Sequence, residues 1–217
     1  MEISEQTLAE DKLPMASMGV DMSRKGKLVY FATSNMHKFE EARLVLGEYG
    51  IGVAKLNVKG LEIQADDLEE IARTAVTHLT KTQSLPTLVE DAALFVKALN
   101  GFPGPYSSYV LRTIGNEGLL RLMQNVSDRR AEFKSAVAFC APNIQPKSFQ
   151  GVVEGSLSPE ARGTHGFGFD PIFVPSEGDG RTFAEMETEE KNKISHRARA
   201  MRAFAKWYLE LGALALR

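Results

Sequence analysis

Four places in the chain carry residue types suited to chemistry rather than to packing. Thr33-Ser34-Asn35-Met36-His37-Lys38 brings hydroxyls, an amide and a lysine to the start of a helical pattern. Such groups, with the unpaired N–H groups of a helix start, donate to phosphate oxygens. Lys38 falls in the first helical turn, where the helix dipole opposes a cation, and a bound polyphosphate removes that conflict. No Gly-x4-Gly-Lys-Ser/Thr pattern occurs, so this is not a Walker A loop. Alone, it also fits an ordinary polar loop with a solvated lysine. The second place is Glu90-Asp91, two acids that close the apolar run Leu85–Val89. At the carboxyl end of a strand in an open α/β sheet, a carboxylate lines the ligand cleft. There it can hold Mg²⁺ or take a proton from an attacking water. Glu62, in Leu61-Glu62-Ile63-Gln64, is another isolated acid beside apolar residues. Helix capping is the competing role.

The third place is Gly163-Thr164-His165-Gly166-Phe167-Gly168-Phe169-Asp170-Pro171. Its glycines let the backbone approach a ligand closely. Phe167 and Phe169 offer faces on which an aromatic base stacks, and Asp170 offers an acceptor for base N–H groups. A glycine-rich hairpin turn with core phenylalanines is the alternative. The fourth is Lys191 followed by Ser195-His196-Arg197. Ser195 is a good N-cap for the last helix. It places His196 and Arg197 in the first turn, the wrong end for cations unless they face an anion or a carbonyl. The four histidines (His37, His78, His165, His196) show no i, i+4 metal spacing, and one cysteine excludes a Cys-rich zinc site. No Gly-x-Ser-x-Gly nucleophile elbow occurs.

The elements that must position these residues follow from patterning. Leu28–Ala32 reads as a buried strand, followed by the polar loop and by a helix starting near Phe39. Val53–Val58 reads as a second strand. Asp67 to Glu70 resembles a capping box before a helix with Leu68, Ile71, Ala72, Ala75 and Leu79 on one face. A third strand is expected to end at Glu90-Asp91, and Asn116 to cap a helix carrying Leu119, Leu120, Leu122 and Met123. Phe133, Ser135, Val137 and Phe139 alternate along a strand that Pro142-Asn143 ends, and Phe149–Glu154 pairs with it as an antiparallel hairpin. Ile194, Ala198, Met201, Phe204, Trp207, Tyr208 and Leu211 mark a long final helix. The order predicts an α/β fold with helices covering a mixed sheet.

Composition narrows the function classes. The 217 residues suit one fold, and 43% apolar with 25% charged residues argues against disorder. A net charge of −2 lacks the basic field of broad nucleic-acid or acidic-membrane binding. No apolar stretch approaches a membrane span, and the acidic N-terminus reads as neither a secretion signal nor a transit peptide. The single cysteine, Cys140, points to a reducing, cytoplasmic setting. Residues 1–26 lack a periodic apolar face and are expected to form a mobile extension before one domain over 27–217.

Taken together, the segments FATSNMHK, VEDAALF, GFPGPYSSY, GTHGFGFDPIF, TFAEM and EEKNKISHR resemble those of the inosine triphosphate pyrophosphatases, most of all archaeal members. The resemblance runs from Lys27 to the C-terminus. It implies hydrolysis of non-canonical purine nucleoside triphosphates (ITP, dITP, XTP) to monophosphate and pyrophosphate. It also implies an elongated mixed sheet with two lobes around a nucleotide cleft, Mg²⁺ as cofactor, and a homodimer. Carried over by position, Thr33, Ser34, Asn35 and Lys38, with Met36 and His37 between them, match the phosphate-binding loop. Asp91 matches the general base and a metal-linked carboxylate, and Glu62 the second metal-linked acid. Phe167, Gly168, Phe169 and Asp170 match the base-binding turn, and Lys191, His196 and Arg197 the closing base and phosphate contacts. The family usually has Asp-Ser-Gly or Asp-Thr where this chain has Asp91-Ala92-Ala93. The substrate-contacting position Ala92 therefore lacks a hydroxyl, and a tight turn is expected to form with alanine at position 93. Inosine and xanthine carry an acceptor at position 6 where adenine carries a donor, so cationic donors at His196 and Arg197 would favour them. Two alternatives stand beside this reading: a pyrophosphatase for a modified pyrimidine nucleotide, and a non-catalytic nucleotide-binding protein.

Overall fold

The computed structural model describes residues 27–58 and 60–214. The extension expected over residues 1–26 lies outside the described residues.

Six strands form one mixed sheet in the order β2-β1-β3-β4-β5-β6. β1 (Leu28–Ala32) runs parallel to β2 (Gly52–Leu56), two residues shorter at its end than the apolar run suggests. Helix α1 (Met36–Gly47) connects them, and α2 (Leu68–Gln83) leads from β2 to β3. Asp67 caps α2 as expected, by accepting the N–H of Glu69 at 2.9 Å rather than through the full capping box with Glu70. The long antiparallel half follows as β4 (Arg130–Ala141), β5 (Ile144–Leu157) and the short β6 (Phe173–Pro175). The β4–β5 hairpin turns at Pro142-Asn143 as expected, but β5 extends well beyond Phe149–Glu154 on both sides.

One strand departs from expectation in a way that shapes the site. β3 spans Thr87–Val96, so Glu90 and Asp91 lie in its middle rather than at its end. Cross-strand pairing is the reason: β4 matches β3 at every position from Thr87↔Cys140 to Val96↔Ala131, and that ladder outweighs the poor β-propensity of two acids. The parallel partner β1 meets β3 only at Thr87 and Leu88. Beyond Leu88, no strand among the described residues continues along that edge. The acids therefore do lie past a strand's carboxyl end, but that of β1. The tight turn expected at Ala93 is likewise absent, since Ala92 and Ala93 pair in register with Ser135 and Lys134.

Side chains alternate along β3, so Glu90 and Asp91 face opposite sides of the sheet. One face is covered by α1 and by α6 (His196–Leu214), with Val29, Phe31, Val45, Phe139 and Phe204 buried between. Farther along the same face, Leu94, Phe133, Phe173 and Phe183 form a second cluster with the small helices α3 (Ser107–Thr113) and α4 (Gly115–Leu122). The opposite face packs Val89, Ala93, Ala136 and Ala138 on α2. Asn116 does not cap α4; it sits inside the first turn and its side-chain N–H donates to the Gly168 carbonyl at 3.1 Å. The short α5 (Thr188–Ile194) stops at extended Ser195, whose hydroxyl accepts the N–H of Ala198 at 3.2 Å and starts α6.

Candidate active site

A cleft of ≈ 760 Å³ opens over the exposed edge of β3. Its lining combines Thr33, Ser34, Asn35 and Lys38 at the start of α1, Glu62 and Asp91 towards α2, and Phe167, Lys191, His196 and Arg197 towards α6. Residues far apart in sequence thus meet in one cleft.

The loop before α1 is tied by its own side chains. Asn35 Oδ1 accepts the N–H of Lys38 at 3.2 Å as N-cap, and Thr33 Oγ1 accepts the N–H of Asn35 at 3.1 Å. Both bonds use acceptor oxygens, so the hydroxyl and amide donors are not consumed by them. Met36 and His37, expected in the phosphate grip, do not line the cleft. Met36 is exposed and its sulfur lies 2.9 Å from Lys55 Nζ, while the exposed His37 ring stacks on Phe167 at 5.3 Å. In a helix the side chains at successive positions point 100° apart, so only one of three neighbours can face the cleft.

Lys38 reaches Glu90, which is the hub of a buried charge network. Its ammonium sits 2.9 Å from Glu90 Oε2 as an ion pair, off the hydrogen-bond direction, and donates to the Glu90 carbonyl at 3.4 Å. Glu90 Oε1 accepts from Ser135 Oγ at 2.7 Å and from Arg197 Nε at 3.0 Å. Arg197 also donates to Glu41, and Lys191 bridges Glu41 at 2.8 Å and Asp170 at 2.6 Å. Three acids (Glu41, Glu90, Asp170) therefore meet three cations (Lys38, Lys191, Arg197). All but Lys38 have side chains under 5% exposed. Burial alone would raise Glu90, but Arg197 and then Lys38 outweigh it and bring the carboxyl down to about 2. Glu41 is likewise held below its ordinary value by Arg197 and Lys191 against burial. A buried pair adds little net stability, whereas removing one partner strands a charge at ~3–5 kcal/mol. What the network supplies is fixed positions for its three cations.

Glu41 and Ser135 are participants that sequence reasoning passed over. Each left a signal. Glu41 is three residues after Lys38 and so shares its helix face, and Ser135 is the polar member of the otherwise apolar Phe133–Val137–Phe139 row.

The expected base-binding turn is only partly available to a base. Asp170 Oδ2 accepts the N–H of Phe167 at 2.8 Å as well as the Lys191 ammonium, so this carboxylate clasps its own turn. Gly166 has φ +67 and a Cβ there would stand 2.2 Å from Asp170 Oδ2, which accounts for the glycine. Phe169 is 4% exposed and packs in the core, yet with Gly168, Asp170 and Ala92 it still lines the cleft wall. Phe167 remains at the cleft, with Lys191 Nζ 5.0 Å and the Arg197 guanidinium 5.1 Å from its ring centre.

His196 is not the cationic donor expected. Its ring stacks on Phe133 at 4.5 Å, and burial, with Arg197 and Lys191 close by, lowers its pKa well below the ordinary value. It is neutral, and its buried Nδ1 has no hydrogen-bond partner among the described residues.

Asp91, on the other side of β3, is in a different electrostatic setting. Burial raises its carboxyl above the ordinary value; Lys38 opposes the rise, and the charges of Glu90 and Glu62 add to it. Among the described residues no group of three His, Cys, Asp or Glu side chains is placed to hold a metal unaided. Glu62 and Asp91 do share the cleft, and the Glu62 charge reaches Asp91, an arrangement suited to a hard cation whose remaining ligands are waters and phosphate oxygens.

Comparison with known proteins decides the family, whose model, the Ham1 family, matches residues 29–207. The chain belongs to the Ham1 family. A dITP/XTP pyrophosphatase of Methanopyrus kandleri is 49% identical over 180 residues, covering 83% of this chain and 95% of its own length. One from Methanothermobacter marburgensis is 51% identical over 182 residues, covering 84% and 96%. Among solved structures, a HAM1 protein from Coxiella burnetii superposes with a TM-score of 0.75 at 30% identity, over 85% of this chain and 99% of its own. This Ham1 chain thus shares its α/β architecture with that structure along nearly the whole described length.

Proposed function

We propose that this Ham1 protein hydrolyses non-canonical purine nucleoside triphosphates (ITP, dITP and XTP) to the monophosphate and pyrophosphate. The observation that carries the reading is the division of one cleft by β3. That cleft gathers a fixed cation at a helix start, an aromatic ring with buried cations and, on the other side of β3, a carboxylate of raised pKa. The relatives named dITP/XTP pyrophosphatase, at about half identity, support the substrate class.

Lys38 and the Thr33–Asn35 loop hold the triphosphate tail. Asp91 takes a proton from the water that attacks the α-phosphorus, and a raised pKa makes it a stronger base than an ordinary aspartate. Asp91 and Glu62 would hold Mg²⁺, which when bound offsets charge on the phosphate oxygens. Arg197 is fixed by Glu41 and Glu90 through Nη1 and Nε, which leaves its Nη2 edge as donor towards an oxygen at purine position 6. Adenine would set donor against donor there. A site that leaves a buried polar group unpaired rejects the wrong substrate by ~10⁴–10⁵. Neutral His196 offers its unpartnered Nδ1 to the nucleoside.

The same proposal includes a nucleotide held between two lobes, a cytoplasmic setting and a homodimer. Phe102, Tyr106, Tyr109 and Ile114 are exposed on neighbouring turns and support a buried partner surface. No helix among the described residues is long and apolar enough to cross a membrane.

Phosphate release tests the activity. ITP should yield orthophosphate only when inorganic pyrophosphatase is added, while ATP and a modified pyrimidine triphosphate yield little under either condition. Orthophosphate from ITP without the helper enzyme would mean cleavage at the γ-phosphate and would sink the proposal.

A further inference from the structure

We infer that His37, although it sits inside the phosphate-loop motif, acts on the base end of the site as the residue that positions Phe167; this rests on the function proposed above. Phe167 lines the cleft and His37 does not, yet the two rings stack at 5.3 Å with 16° between their planes. The imidazole therefore backs the phenyl ring from outside the cleft. Phe167 needs such a backing. It stands between Gly166 and Gly168, both at positive φ (+67 and +68), in a backbone with little steric restraint of its own. Asp170 pins the Phe167 N–H, and nothing in that bond sets the ring's orientation. Lys191 and Arg197 approach the ring at 5.0 and 5.1 Å, but both are committed to Glu41 and the other acids. Of the ring and cation contacts of Phe167 among the described residues, His37 is the one from α1, so the stack also ties the helix that carries Lys38 to the turn that carries Phe167.

A positioning role has a distinct signature. Removing the stack loosens a wall that touches substrate and transition state alike, so the loss falls mainly on KM. His37→Ala should raise KM for ITP and Kd for inosine monophosphate by roughly three- to tenfold, the range of an aromatic pair. The inhibition constant of inorganic tripolyphosphate, which has no base, should stay within twofold. His37→Phe should restore both base-dependent constants, because a second aromatic ring can back Phe167 without a nitrogen. Equal weakening of tripolyphosphate would assign His37 to the phosphates and overturn the inference. So would an unchanged or lower KM in His37→Ala, or no restoration by His37→Phe. Direct titration of the wild type with the monophosphate and tripolyphosphate separates the two readings. A wild type that binds neither refutes the proposed function itself, whereas one that binds both while the variants deviate as above refutes only the role of His37.

Discussion

Gly151 does not line the cleft, yet its replacement by alanine should disable it. Gly151 lies in β5 directly beneath the first turn of α6, the turn that carries His196 and Arg197. A Cβ at this position would stand 2.0 Å from the His196 carbonyl oxygen, 2.6 Å from the Ala200 N and 2.9 Å from the Arg199 Cβ. The first two are backbone atoms, so no rotamer change relieves them. Restoring the carbonyl contact from 2.0 to an ordinary 3.4 Å requires the helix start to move by about 1.4 Å. Misplacement of that order costs on the order of 100-fold in rate, and overpacking destabilises by ~1–3 kcal/mol. Gly151→Ala should therefore remain folded with a lowered melting temperature, while kcat/KM for ITP falls about 100-fold. Gly47→Ala is the control. Nothing lies within 4 Å of a Cβ there, and helix propensity favours alanine by up to about 1 kcal/mol. Steady-state hydrolysis of ITP, with melting curves on the same preparations, makes the comparison. If folded Gly151→Ala kept kcat/KM within threefold of the wild type, the closeness of α6 to β5 would not be what places His196 and Arg197.

Asp91→Asn should reduce kcat by at least 10²-fold with the melting temperature nearly unchanged, because the swap is isosteric and removes a base; a variant retaining most of its kcat at saturating Mg²⁺ would remove Asp91 from the reaction. His196 makes a prediction about pH. Its folded-state pKa lies well below 6.5, so the unfolded chain binds the proton first, and stability present above pH 6.5 is lost as pH falls. His196→Phe should flatten the fall in melting temperature between pH 7 and 5, whereas equal slopes in variant and wild type would show His196 charged in the fold. Glu90, at about 2 against an ordinary 4.5, contributes its loss only below about pH 4.5, and the raised Asp91 and Asp170 act in the opposite sense in both proteins.

The legible parts of this fold were those whose local signal and tertiary role agree. The first strand, the N-caps Asp67 and Ser195 and the Pro142-Asn143 turn all stand where their residue types place them. The misses share a different cause. The run of β3 through two acids and two alanines is set by pairing with β4, which no local pattern in β3 records. Lys38 and Arg197 could be marked as misplaced cations, but Glu41, the partner of Arg197 and Lys191, stands among helix-surface charges until the helix is docked. The lowered pKa of His196 comes first from burial, against Phe133 63 positions earlier, and then from the Arg197 and Lys191 charges, and the burial leaves no mark at the histidine itself.

Because β3 runs straight through Glu90-Asp91, one peptide step separates two carboxylates with opposite duties. Glu90 is held ionised among cations; Asp91, under the proposed function, exchanges protons. A single-residue insertion or deletion between Leu88 and Glu90 would turn each acid to the other's side of the sheet. Glu90 would then face the α2 side of the sheet, and Asp91 would take its place between Lys38 and Arg197. The β4–β5 turn at Pro142-Asn143, remote from the cleft, is where this scaffold can absorb added residues.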